Sequence, residues 1–148
     1  PGGLGVFDPG INALSIMTEI LPYSVHLTDA VLEYPDNRDT PIAAELNFAT
    51  PDAAPMNAVF DWRQEGPQTW DIDIETNDGA MKLSAGGAQV SIDGQMGVEG
   101  SDHEYANLYS RMTGLLETGQ SDVDLAPMIH VCDACALGKR KTVAPFQF

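Results

Sequence analysis

At 148 residues, with 43% hydrophobic and 20% charged side chains, the chain is sized and composed for one globular domain with a real core, not for a disordered or low-complexity segment. Its 22 acidic residues against 7 basic ones give a formal net charge of -15, which would repel phosphate and so excludes nucleic acid and anionic membrane surfaces as partners. No apolar run approaches the roughly 20 residues needed to span a bilayer.

The first residue is Pro1 and no signal peptide precedes it, so we expect a longer protein to continue upstream. After the glycine-rich stretch Pro1–Phe7, the pair Asp8-Pro9 predicts a helix start, with Asp8 as N-cap and proline at the first helical position. That helix runs to about Leu21, counts Ile11, Leu14, Ile20 and Leu21 among its buried residues, and ends at Pro22. The period then changes from helical to alternating. Ser24–Tyr34 reads as a long extended segment turning at Pro35-Asp36-Asn37. Pro41–Phe48 alternates Ile42, Ala44, Leu46 and Phe48 against Ala43, Glu45 and Asn47, and Met56–Arg63 repeats the pattern with Ala58, Phe60 and Trp62. Thr69–Glu75 places Trp70, Ile72 and Ile74 inward and Thr69, Asp71, Asp73 and Glu75 outward. Asn77-Asp78-Gly79 marks a tight hairpin into Met81–Ser84, and Ala88–Ile92 follows, closed by Asp93-Gly94.

Helices return from about His103 to Glu117, where Tyr105, Leu108, Tyr109, Met112, Leu115 and Leu116 form one stripe. A polar loop, Gly119–Asp124, leads to the helix Leu125–Gly138, with Pro127 in its first turn, Gly138 as C-cap, and Lys139, Arg140 and Lys141 complementing its dipole. Thr142–Phe146 adds a last strand. Strands grouped apart from helices predict an α+β fold: a mostly antiparallel, open-faced sheet of about six strands, helices on one face, and the other face turned to water or a second subunit.

Few residue patterns point to chemistry. Cys132 and Cys135 form a lone Cys-x-x-Cys beside His130, but they fall with Leu125, Met128, Ile129 and Ala136 on one helical stripe, so we expect reduced, core-packed thiols, as suits the cytoplasm. His26, His103 and His130 lack metal-ligand spacing, and no metal is expected. Gly86-Gly87 lacks the strand–helix setting of a phosphate cradle, and no nucleophile elbow is present. Trp62 and Trp70 read first as core residues, with stacking on a sugar face as the second use of their rings. Asp8 and Asn12, four residues apart, share one helix face beside the glycine-rich stretch. An acid and an amide there can hold sugar hydroxyls; equally, Asp8 can be a plain N-cap and Asn12 a solvated helix residue.

The run Gly5-Val6-Phe7-Asp8-Pro9-Gly10-Ile11-Asn12-Ala13-Leu14 resembles the helix that opens the C-terminal domain of the glucose–fructose oxidoreductase/inositol dehydrogenase family (Gfo/Idh/MocA), and within it the bacterial aldose 1-dehydrogenases acting on galactose or arabinose. Thr40–Leu46, Asp61–Gly66, Ser121–Asp124, His130-Val131, Asp133-Ala134 and Leu137-Gly138-x-Arg140 extend the resemblance over essentially the whole chain. It implies that residues 1–148 are the substrate-binding and dimerisation domain of an enzyme whose N-terminal Rossmann domain, binding NAD or NADP, lies outside this chain. It implies oxidation of an aldose at C1 to its lactone, a homodimer formed through the open sheet face, and no cofactor-binding residue here. By motif match Asp8 and Asn12 are the catalytic and substrate-binding pair, working with a lysine of the Rossmann domain, although many relatives carry histidine where Asn12 stands. Trp70, Trp62 and Arg63 would border the sugar. The chain alone is expected to be inactive. The competing reading is a non-catalytic sugar sensor or oligomeric scaffold of the same fold.

Overall fold

The computed structural model describes residues 3–68, 70–100 and 103–147. In chain order its elements are α1 (Phe7–Ile20), β1 (His26–Pro35), β2 (Ala43–Ala49), β3 (Met56–Asp61), β4 (Ile72–Thr76), β5 (Gly79–Ser84), β6 (Gln89–Ile92), β7 (Gln95–Glu99), α2 (Glu104–Thr118), α3 (Ala126–Leu137) and β8 (Lys139–Val143), with a short 3-10 turn at Ala85–Gly87. The fold is α+β, as expected. Among the described residues the strands number eight and form two four-stranded sheets, because the Asp93-Gly94 turn is followed by a further strand, β7. The chain divides into two compact units, Pro1–Gln64 with Asp124–Phe148, and Glu65–Val123.

In the first unit the sheet order is β3-β2-β1-β8, antiparallel except for β8, which runs parallel to β1. A parallel neighbour needs a crossover, and α3, immediately before β8 and packed on β1, supplies its last leg. Alternation sends Leu27, Ala30, Leu32, Ala44, Leu46 and Phe48 to the helix side, where they join Phe7, Leu14, Met17, Val131 and Ala134 in one core. The opposite face carries ions: Lys139 reaches Asp29 at 2.9 Å, and Lys141 reaches Glu33 at 2.6 Å. These cross-strand pairs suit Lys139 and Lys141 to a strand in register with β1, so the tail becomes β8 three residues earlier than expected instead of complementing the end of α3. Arg140, on the other face, lies 3.7 Å from the centre of the Tyr34 ring.

Two helix readings change. Asp8 is not the N-cap of α1; the helix begins at Phe7 behind Val6, with no side-chain cap. Phe7 is completely buried and anchors the first turn, so the helix starts two residues earlier, behind the turn at Gly5 with φ +60°. Pro9 is tolerated because amides of the first turn lack helical acceptors anyway. Ile20, expected in the core, is exposed, since the buried line of α1 is Phe7, Gly10, Leu14 and Met17. In α3 the buried line is Pro127, His130, Val131 and Ala134, so the stripe through Leu125, Met128, Ile129, Cys132 and Cys135 faces outward. Both cysteines are accordingly exposed and free, not core-packed. Around an almost wholly apolar helix the pattern does not say which side goes in; the fit of small Ala134 and flat His130 against the sheet decides it.

In the second unit β4-β5-β6-β7 form a fully antiparallel meander. Thr76 pairs with Gly79, closing the expected hairpin, and Asp93 and Gly94, both at positive φ, make a two-residue turn whose twist matches the strands. One face carries the row Ile72, Leu83, Val90, Val98 and, beside it, Ile74, Met81, Ile92. The other carries Asp71 and Asp73, both paired with Lys82, at 2.9 and 3.3 Å. Thr69, expected on that outward face, lies outside the described residues, as do Pro1 and Gly2. No helix among the described residues is long and apolar enough to cross a membrane.

Candidate functional site

The site is built where α1 begins. Gly5 turns the chain at φ +60°, with the Pro41 carbonyl packed so close that a Cβ on Gly5 would collide with it. The Val6 amide then donates to that Pro41 carbonyl at 2.8 Å, and the Asp8 amide donates to the Gly5 carbonyl at 3.0 Å. Gly10 lets the helix settle on the Phe60 ring of β3, where a Cβ would stand 3.3 Å from the ring, and Phe7 meets the same ring edge-on at 6.2 Å. With Phe7 and Gly10 facing inward, Asp8 and Asn12 are both left exposed, one turn apart on the outer side of the first two turns. Asp8 sits in the first turn of the helix, at its positive end.

Directly after β3, Trp62 is pinned by its amide, which donates to the Ile42 carbonyl at 3.0 Å. The peptides of Pro41 and Ile42 thus hold both the start of α1 and the residue bearing the Trp62 indole, which is 42% exposed. Asp8, Asn12 and Trp62 therefore belong to one end of the first unit. Arg63 points elsewhere. Its guanidinium forks onto Asp61, Nε to Oδ1 at 2.9 Å and Nη2 to Oδ2 at 2.8 Å, and also reaches Glu33 at 2.7 Å, on the ion-bearing side of the sheet. The hydrogen bonds that Arg63 donates to Asp61 raise its own pKa further, and Asp61 is held below the ordinary carboxylate range by the same contacts. Lys141, then Arg63, hold the Glu33 carboxyl low in the same way. Trp70 lies in the second unit, half-buried, just before β4.

Sequence reasoning missed the part played by Pro41 and Ile42. The signal was present in the Thr40-Pro41-Ile42 run, which breaks the strand before β2 and leaves two carbonyls facing their neighbours. Other chemistry finds little support. Among the described residues no group of three or more His, Cys, Asp or Glu side chains could hold a metal ion. Desolvation pushes the Cys135 thiol above its ordinary pKa, away from a reactive thiolate. Gly86 and Gly87 sit in the turn between two antiparallel strands, β5 and β6. A shallow groove of about 450 Å³ runs beside α2, lined by Asn107, Ser110, Arg111 and Leu115 among others, and includes none of the site residues.

No family model matches the chain. Individual proteins do. Over 144 residues, 97% of this chain, it is 40% identical to galactose 1-dehydrogenase of Pseudomonas fluorescens, and it covers 47% of that protein. The crystal structure of D-galactose-1-dehydrogenase from Rhizobium etli superposes with a TM-score of 0.92 at 56% identity, over 98% of this chain and 46% of that one. KijD10, a 3-ketoreductase from Actinomadura kijaniata in complex with TDP-benzene and NADP, matches with a TM-score of 0.78 over 97% of this chain and 50% of that one; at 13% identity it shares the fold alone. The chain spans about half the length of the proteins it matches. It is thus a relative of the galactose 1-dehydrogenases along nearly all of its own length and about half of theirs.

Proposed function

We propose that this chain is the substrate-side half of an NAD(P)-dependent aldose 1-dehydrogenase of the Gfo/Idh/MocA type, oxidising galactose or arabinose at C1 to the lactone. The observation that carries the proposal is 40% and 56% identity to two galactose 1-dehydrogenases over essentially the whole chain. A nicotinamide, held by a Rossmann domain outside these residues, supplies the hydride acceptor. This chain's donor set suits the complementary task, because an exposed carboxylate and amide on one helix face can manage a hydroxyl and its proton. Asp8 accepts a hydrogen bond from the C1 hydroxyl and draws its proton away as the C–H bond is lost. Asn12, one turn on, bonds a neighbouring hydroxyl and fixes which carbon faces the acceptor. Trp62 offers an apolar ring to the sugar face at the same end of the unit, and Trp70 is a second ring for that role. Arg63 borders the pocket indirectly, by clamping Asp61 and so the end of β3 that carries Trp62. The protein works in the cytoplasm and assembles as a homodimer through an uncovered sheet face.

The test is reduction of NAD or NADP, followed at 340 nm, by the enzyme containing this chain and its dinucleotide-binding domain, with galactose and arabinose as substrates. Turnover with at least one aldose is the expected result. Failure with both cofactors and a panel of aldoses would sink the catalytic reading.

A further inference from the structure

We propose that Met128, Cys132 and Cys135 form a surface site for a soft monovalent cation, copper(I), held by two thiolates and one thioether. The site is separate from the sugar chemistry at α1 and does not depend on it. The three residues stand at spacings of four and three along α3. At about 100° per residue they fall within an arc of roughly 60°, so their side chains rise in one row on consecutive turns. The buried line Pro127, His130, Val131 and Ala134 is turned away from that row. All three sulfur side chains are accordingly exposed, Met128 by 39% and both cysteines as free thiols. Helical side chains lean toward the N-terminus, which tips Cys135 over Cys132 and Cys132 over Met128.

Sulfur chemistry selects the ion. Residues three apart on an α-helix have Cβ atoms about 5–6 Å apart, whereas a disulfide needs them at about 3.5–4.5 Å. An ion between the sulfurs suits the wider spacing, because two metal–thiolate bonds of about 2.3 Å hold the sulfurs roughly 4.5 Å apart. Thiolate and thioether ligands favour copper(I), which accepts a shell of two or three sulfurs. Zinc asks for four ligands, and among the described residues no group of three or more His, Cys, Asp or Glu side chains supplies them. His130 is turned into the core, and Asp133 points about 100° round the helix from Cys132. Charge favours a cation as well, since a chain carrying -15 concentrates cations at its surface. Binding releases two thiol protons to solvent and changes no oxidation state, so the loaded centre carries one negative charge. Arg140 stands near to offset it, 3.7 Å from the centre of the Tyr34 ring, which lies within electrostatic reach of Cys135.

The test is a titration of the reduced protein containing this chain with copper(I), supplied as its acetonitrile complex without oxygen and in competition with bicinchoninate. Wild type should withhold one equivalent more than either Cys132→Ser or Cys135→Ser, and the difference isolates this site from thiols elsewhere. Met128→Leu should keep the equivalent but bind it severalfold more weakly. All three variants should retain the wild-type circular dichroism, because the side chains are exposed. Equal copper uptake by wild type and both serine variants would overturn the site. Loss in only one serine variant would overturn the paired thiolates, and unchanged affinity in Met128→Leu would overturn the thioether. Uptake of half an equivalent, with a change of oligomeric state in sedimentation, would mean that two copies share the ion, and would overturn a site on one helix. Should a serine variant fail to fold, wild type decides by alkylation with iodoacetamide and mass spectrometry of the peptides. Copper(I) should protect Cys132 and Cys135 together; equal alkylation with and without it would overturn the proposal.

Discussion

On the proposed function Asp8 has two separable contributions, and its position on α1 says how to separate them. It makes no capping hydrogen bond, so its only structural role is to place an exposed negative charge in the first turn. Such a charge contributes about 0.3–1 kcal/mol to a helix. Asp8→Ala should therefore lower the melting temperature slightly while reducing kcat of the complete enzyme by about 10²–10⁴-fold, the usual range for a lost proton-transfer group. A scaffold or sugar sensor would show only the small thermal change. Gly5 is the reverse case, chemically inert and structurally demanding. Gly5→Ala meets both a positive φ and the Pro41 carbonyl, and should destabilise the chain by more than about 1 kcal/mol in urea unfolding. His130 is buried against the edge of Phe48, ring centres 5.3 Å apart, and its Nδ1 has no hydrogen-bond partner. Burial lowers its pKa below the ordinary value near 6.5, with Asp133 opposing the shift and His26 adding to it. A folded pKa below the unfolded one means that the stabilisation is complete above about pH 6.5 and is lost as pH falls through the lowered value. Thermal melts between pH 7 and pH 5 should show this loss, and His130→Leu should flatten it.

At the scale of elements, the ends of strands and helices are where side-chain contacts overrode the pattern. β8 is held to β1 by Lys139–Asp29 and Lys141–Glu33, and Glu33 also receives Arg63 from the end of β3. One carboxylate thus ties three strands together on a face with no helix. The pairs are partly exposed, so Glu33→Gln should cost only about 1 kcal/mol overall. Its local effect should be larger, with amide exchange in β8 accelerating ahead of exchange in β2. The folded pKa of Glu33 lies below its unfolded value, chiefly through the Lys141 hydrogen bond, so this contribution is present above the ordinary carboxylate range and is lost as pH falls through the lowered one. The meeting of α1 with β3 depends on apolar fit. Phe7 is wholly buried and touches Phe60, so Phe7→Ala should cost about 3–5 kcal/mol in chemical denaturation and loosen the turn that carries Asp8.

For the molecule as a whole, the first unit gathers nearly all of the fully buried core, whereas the second keeps its apolar rows half-covered or exposed. The chain resembles the galactose 1-dehydrogenases along nearly all of its own length and about half of theirs.

The amino-acid sequence by itself determined the α+β class, the three helices to within two residues at their ends, most strands, and the pair Asp8 and Asn12 on one face. These follow from local period and from turn residues such as Pro22 and Asp93-Gly94, which act through their own backbone. Tertiary structure decided what local period leaves open: which side of α3 goes inward, whether Lys139–Lys141 finish a helix or form a strand, and where α1 starts. It also directed the Arg63 guanidinium across to Glu33. Each of those outcomes depends on a partner 20 to 110 residues away or on the packing of a whole face, and no window along the chain contains both sides of such a contact.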